Sequence, residues 1–558
     1  MHPAIPAKGG IFEGFAVELD EKDGAIDDFV AQMPPEWAVH PFGERGTDIE
    51  LTLKKGKIST REAWNRAHEL REFTGVNYAE PMFAVSISDN PAWLKDPRAV
   101  MEDGHLQESR NPEWSLEAIH AKEAWKKFFP DANNPPGHGI AIGHPDTGYQ
   151  DHPELDGRVL GHKGYDFLYN DNDAHDDLER PASEPIPNPG HGTGTASVIV
   201  SPIGAQRFAG GGWVTGVAPG AQIIPLRTAY SVMLLSTANL ARAIEYATKN
   251  GAHVISISMG GLFSWRLREA VRYAKSQGVI ICAAAGNYAP FVGWPGAYDE
   301  VIACAASNVR GGTWKWGCRG RAVDVTAPGE SVWRATVRRE GKNLVYDVGR
   351  GNGTSLATTT TAGVAALWLS HHGRDSLIAR YGLANVADVF QRVLCETCVK
   401  FPGWQEGKFG AGLIDAVAAL EAELPAASTA RESSMRVAME SHPEIDSGRL
   451  ATFHHLFDSR PLHDLVFALC ALLQTSEADL DRVLRAVGQE LAFHLATDVG
   501  LYHAFRDIAQ PTVALESPAI ESLRSQIISR ASKKLRAELV NTSHLSAKKP
   551  PIHTQKKN

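Results

Sequence analysis

The chain has 558 residues, too many for one ordinary core, so two to four domains are expected. Hydrophobic content of 43% and charged content of 22% fit a globular protein, and 56 basic against 65 acidic residues give a net charge of −9. That balance argues against general nucleic-acid or membrane-surface binding, and no run approaches the ~18 apolar residues of a membrane span.

The N-terminal stretch "MHPAIPAKGGIFEGFAVELD" lacks the basic start and apolar run of a secretory signal. It predicts a cytoplasmic chain, with export by another route left open. Residues 11–88 then alternate. "FAVEL" is strand-like, "AIDDFVAQM" helical, and "WAVHPF" and "IELTLK" are further strands. A helix opens on a capping-box pattern, Ser59 and Glu62, and stops by Gly75, before a last strand in "VNYAEPMFAVSI". The order βαββαβ predicts a ferredoxin-like α+β domain. Residues 89–113 are polar and proline-containing, a linker.

From 114 to 424, continuous apolar runs such as "HVISIS", "VIICAAAGN" and "VIACAAS" alternate with amphipathic helical patterns. This predicts an α/β domain, a parallel sheet with helices on both faces, whose ligands bind beyond the carboxyl ends of the strands. After a linker at 425–445, residues 446–540 predict an all-α domain. One helix starts at Ser476 and lines up Leu480, Val483, Leu484, Val487 and Leu491; another starts at Ser517 and runs through Ile520, Leu523, Ile527 and Leu535. The tail 541–558 has no acidic residue and little to bury, which predicts disorder.

Six cysteines give no disulfide framework. Cys282 and Cys304 fall in buried strands. Cys395 and Cys398 form one C-x-x-C without the second pair a zinc ribbon needs, so unpaired cysteines are the favoured reading and a redox role stays open.

Four residues fall where a strand ends or a helix begins. Asp146 follows "GIAIGHP", His191 stands in "NPGHGTGTASVIV", Asn287 closes "AAAGN", and Ser355 lies between "GNG" and a run of small residues. Acyl transfer needs a serine nucleophile, an imidazole to take its proton, a carboxylate to fix that imidazole, and a donor for the oxyanion. Each feature alone is weak, because serine is also a common helix cap. Their conjunction in one order is not.

On "DTG" at 146–148, "HGT" at 191–193, "GN" at 286–287 and "GTS" at 353–355, the chain resembles the subtilisin-like serine proteases. The likeness extends to "GVAPGAQIIPLRT", "WPGAYDEVIACAAS" and "GAGLIDAVAAL". It implies that Asp146 orients His191, that His191 is base and then acid, that Ser355 attacks, and that Asn287 binds the oxyanion. It further implies a peptide-binding edge at Ser258, Met259 and Gly260, and a primary pocket floored at Gly293. With no acidic residue at that position, a large apolar residue before the scissile bond is expected. "VNYAEPMFAV" looks like the strand closing many subtilase propeptides, so residues 11–88 imply a self-inhibited zymogen cut between about 85 and 113. The acidic loop "YDFLYNDNDAHDD" resembles a calcium loop of some subtilases, with Asp166, Asp171 and Asp173 as ligands; a merely solvated loop is the alternative. No organic cofactor is implied.

Two departures stand out. Gly194 replaces the histidine that commonly follows "HGT", and "LATTTT", with Leu356, Thr359 and Thr360, replaces Met-Ala-x-Pro-His. The leading reading is a serine endopeptidase acting on proteins or peptides. A subtilase-fold cyclase or transpeptidase and an inactive peptide-binding scaffold are the alternatives, and the partner of the helical domain is unnamed.

Overall fold

A computed structural model describes residues 10–20, 25–42, 47–85, 110–179, 188–204, 208, 212–232, 237–289, 291–426, 447–457, 460–509 and 517–540. The tail, most of both expected linkers and the region expected to be cut lie outside these residues. The chain divides into two units, Met1–Lys57 with Gly75–Val437, and Ile58–Thr74 with Ala438–Asn558.

In the first unit the N-terminal elements appear in the expected order. Strand β1 (Gly10–Leu19) is followed by helix α1 (Ala25–Val30), β2 (Trp37–Phe42), β3 (Asp48–Leu53), helix α2 (Thr60–Leu70) and β4 (Val76–Val85). The four strands pair antiparallel in the order β2-β3-β1-β4, with Phe15 packed against Trp37 at 5.4 Å between ring centroids. Helix α1 stops at Val30, short of the expected residue 33.

The same unit carries a seven-stranded parallel sheet in the order β11-β10-β9-β8-β5-β7-β6. Its strands are β5 (Ala141–Asp146), β6 (Tyr165–Asp166), β7 (Gln222–Arg227), β8 (Val254–Ile257), β9 (Ile280–Ala284), β10 (Ile302–Ser307) and β11 (Val325–Pro328). Successive residues of a strand face opposite sides. A Cβ at Gly143 would meet Ala247 of helix α4 (Ala238–Lys249), whereas the next residue, His144, bonds Thr195 of helix α3 (His191–Val200). Helices therefore cover both faces, as the continuous apolar strands predict. Helix α5 (Trp265–Ser276) packs beside α4, and helix α6 (Thr354–His372) beside α3. A hairpin, β12 (Val332–Glu340) with β13 (Asn343–Gly351), leads into α6.

Helix α6 is buried almost throughout, although it carries four consecutive threonines. Each hydroxyl bonds a carbonyl four residues back, Thr358 to Thr354, Thr359 to Ser355, Thr360 to Leu356 and Thr361 to Ala357. The polar run satisfies itself, so "LATTTT" can occupy the core.

In the second unit, Ser447–Leu456 (α7), Leu462–Leu473 (α8), Glu477–Thr497 (α9), Val499–Ile508 (α10), Pro518–Ile528 (α11) and Lys533–Val540 (α12) are helical. Ser476 and Ser517 cap their helices as expected. The helix expected to run through Leu535 instead breaks, because the Ser532 hydroxyl accepts from the Leu535 amide and starts a new turn. Helix α2 belongs to this unit and not with the strands of 11–88 that flank it in sequence. Ser59 caps it, and it ends at Leu70, before the expected Gly75. None of the described helices is long and apolar enough to cross a membrane.

Candidate active site

Near the carboxyl ends of the strands the four candidate residues lie as two pairs, Asp146 with His191 and Asn287 with Ser355. Asp146 ends β5 and is fully buried, His191 opens α3, and its Nδ1 lies 2.7 Å from Asp146 Oδ1. Burial alone would raise the Asp146 carboxyl. The charge and hydrogen bond of His191, helped by His144 and the Thr147 amide, hold it below the usual carboxylate range. Asp146 thus faces His191 Nδ1 as a carboxylate acceptor.

Further, unforeseen groups complete this cluster. The Thr195 hydroxyl lies 3.2 Å from Asp146 Oδ2 and 3.0 Å from His144 Nε2. His144 is buried, and desolvation pushes its imidazole down against the pull of Asp146, so it sits neutral behind the carboxylate. Asp176 ties the two loops together, accepting from Thr147 Oγ1 at 3.0 Å and from the Gly190 amide at 2.7 Å. The departure at Gly194 also has a cause. A Cβ there would come within 2.3 Å of Arg334 Nη1, so the β12 arginine fills the space a side chain would take.

Ser355 is the second residue of α6, after Gly353 at φ 151°. Asn287 Oδ1 accepts from both the amide and the hydroxyl of Thr354, each at 3.0 Å. With its oxygen so held, the side-chain NH₂ of Asn287 is the end left to donate. A Cβ built on Gly353 would lie 3.4 Å from Asn287 Nδ2, 3.7 Å from the Ser355 amide nitrogen and 3.8 Å from Ser355 Oγ. Two donors and one hydroxyl therefore surround a space that only glycine leaves open. Ser355 Oγ donates to the Ser258 carbonyl at 3.1 Å and makes no hydrogen bond to His191, while Ser258 Oγ donates to the Ser355 carbonyl at 3.1 Å.

Ser258, Met259 and Gly260 follow β8 directly. Gly261 and Trp294 exchange backbone hydrogen bonds of 2.8 and 3.1 Å, which sets Gly260 and Gly293 close to each other's strands. Met259 is buried and accepts from Thr228 through its sulfur, so it supports this edge from below.

The aspartates of the acidic loop do not assemble around a metal position. Asp166 pairs at 3.0 Å with Arg227, whose other nitrogen lies 2.6 Å from Asp177. Asp171 accepts from the Asp173 amide, and Asp173 from His175. Among the described residues no group of three or more His, Cys, Asp or Glu could hold a metal ion. The buried Arg227 guanidinium thus places a positive charge between two of these carboxylates. Cys395 and Cys398 are both free, and burial raises both thiols, Cys398 to about 12, which disfavours the thiolate.

The family model described as "Subtilase family" matches residues 137–412. Thermitase of Thermoactinomyces vulgaris is 32% identical over 281 residues, covering 50% of this chain and 88% of that one. The thermophilic serine proteinase of Bacillus sp. (strain AK1) is 31% identical over 316 residues, 56% of this chain and 68% of that one. Among solved structures, fervidolysin from Fervidobacterium pennivorans shares the fold with a TM-score of 0.54 at 21% identity, over 76% of this chain and 64% of that chain. The chain belongs to the subtilase family and is a subtilisin-like serine endopeptidase.

Proposed function

We propose that peptide bonds are cut by Ser355 through an acyl-enzyme, with His191 as base and then acid and Asp146 fixing its tautomer. Ser355 first turns its hydroxyl from the Ser258 carbonyl to His191 Nε2. The tetrahedral oxyanion is received by Asn287 Nδ2 and the Ser355 amide, at the N-terminus of α6. The observation that carries this reading is the space beside Gly353, bounded by those two donors and the nucleophile. Substrate lies as an added strand along Ser258–Gly260, and the glycines at 260 and 293 leave room for a large apolar side chain before the scissile bond. A peptide library read by mass spectrometry tests this. Cleavage after Phe or Leu is expected to exceed cleavage after Lys or Asp, and an equal rate after all four sinks the preference.

The N-terminal sheet is an inhibitory prosegment in this reading. Glu80, in the strand "VNYAEPMFAV", is buried and accepts from Ser264 Oγ and from the amides of Trp265 and Arg266. It therefore caps α5 with a negative charge where the helix dipole favours one. Tyr78 packs on Trp265 at 5.2 Å, and Glu50 takes Arg242 of α4 through both oxygens at 2.7 and 2.6 Å. The sheet is thus seated on the two helices that follow β7 and β8 in the chain. The full chain is expected to shorten on incubation and its Ser355→Ala form to stay whole; a whole, active wild-type chain overturns the zymogen reading.

A further inference from the structure

Helix α2 presents one face to the helical unit. Arg61, Trp64, Asn65, His68 and Arg71 recur at the three- and four-residue spacing of a single helical stripe. Trp64, almost fully buried, meets the Phe493 ring edge-on at 5.9 Å between centroids. Arg61 donates to the Ser529 carbonyl, Asn65 accepts from the Lys533 amide at 2.8 Å, and Arg71 reaches Gln489 at 3.3 Å. At the centre His68 Nε2 lies 2.9 Å from Glu490 Oε2. Glu490 is a 1% exposed carboxylate inside the helical unit, where it also accepts from the amide and hydroxyl of Ser532. A buried carboxylate is costly unless its lone pairs are filled, and His68 fills one from outside the C-terminal segment. The stripe on α9 that receives α2 is made by Gln489, Glu490 and Phe493.

Helix α2 is also tethered at both ends. Residues 54–59 join it to β3 and residues 71–75 join it to β4, the strand that carries Glu80. Whatever grips α2 therefore grips the N-terminal sheet as well.

We propose that the helical unit at 447–540 is a receptor for helix α2, and that it retains the N-terminal domain on the enzyme after the connecting segment has been cut. The inference rests on reading residues 11–88 as a prosegment. It predicts a processed enzyme that keeps its severed N-terminal domain and becomes fully active only when the helical unit lets go of α2.

The test uses the full chain with Ser355→Ala, which cannot cut itself, and with a recognition sequence for a site-specific protease placed within 86–109. After nicking, the rate at which the N-terminal fragment leaves is followed on a surface-held C-terminal fragment. The Arg61→Glu/Arg71→Glu variant reverses the charge of two arginines that bond the helical unit and leaves Trp64 and Glu490 in place. Its fragment is expected to leave faster by on the order of tenfold or more, with helical content and melting of the uncut chain unchanged. An unchanged departure rate overturns the proposal. His68→Leu is the second variant, and it must also speed departure, because it removes the donor to buried Glu490. Peptidase activity of the same variants on a Ser355 background reads the prosegment assignment separately. Faster departure without any gain in activity leaves the clamp standing and removes the inhibitory role.

Discussion

Asn287 does its proposed work only because Thr354 holds its oxygen. Asn287→Ala is expected to lower kcat on the order of 10²–10³ with little change in KM, since the lost bond forms only in the transition state. Gly353→Ala should cost at least as much, because a methyl would stand 3.4 Å from Asn287 Nδ2 in the space meant for the oxyanion, at a backbone φ of 151°. Thr354→Val keeps the amide bond to Asn287 and loses the hydroxyl bond, so its kcat should fall between wild type and Asn287→Ala. Steady-state kinetics check all three, and an unimpaired Gly353→Ala enzyme contradicts the oxyanion geometry. At this scale the sequence names candidates where chemistry demands a residue type in a motif, and the structure pairs Asp146 with His191 and sets Asn287 beside Ser355. The sequence was silent on His144, Thr195, Asp176 and Arg334, which reach the site through folding. The one available signal was negative: a missing side chain at Gly194, whose space Arg334 fills.

The acidic loop after β6 shows how an element can draw a charge partner from outside its own sequence. Five aspartates in a short stretch suggest a divalent cation, but Arg227 comes from the neighbouring strand β7 and pairs with two of them. Nothing in the loop's own sequence announces that arginine. Arg227→Met should lower stability by about 3–5 kcal/mol, the usual result of stripping a buried carboxylate of its partner. A melting temperature that rises with calcium and falls with chelator would place the ion in this loop beside that arginine, and identical curves would remove it. The helices tell a similar story. Caps at Ser59, Ser476 and Ser517 were readable because a local hydroxyl makes them. The break before Lys533 was not, since apolar periodicity continues straight through to Leu535.

Over the whole molecule, stability is set partly by histidines that must stay neutral. His253 Nδ1 accepts from the Ala141 amide at 3.2 Å, a bond available only to the unprotonated ring. Burial, with Arg374 and Lys163 adding to it, pushes His253 from the ordinary 6.5 down to about 4. Burial and the nearby His371 and Arg380 do the same to His372. Between about 4 and 6.5 the unfolded chain then binds more protons than the folded one, so stability falls as the pH drops through that window. Asp324 opposes this in part, for burial raises its carboxyl to about 6 and protonation relieves it on the way down. Melting curves between about pH 7 and 4 should show the loss, and His253→Gln, though weaker at neutral pH, should lose less across it. Parallel curves for the two proteins would remove His253 from the account. The architecture at this scale was legible as alternating strand and helix patterns and a helical C-terminal region. The assignment of α2 to the helical unit was not, because the contacts that place it there, such as His68 with Glu490, join residues far apart in sequence.

The most direct measurement is covalent labelling of the peptidase-active protein with a fluorophosphonate, followed by peptide mapping. The proposed mechanism predicts a single adduct on Ser355, formed in step with loss of peptidase activity and absent from His191→Ala. Peptidase activity that survives complete labelling of Ser355, or an inactivating adduct on any other residue, would contradict it.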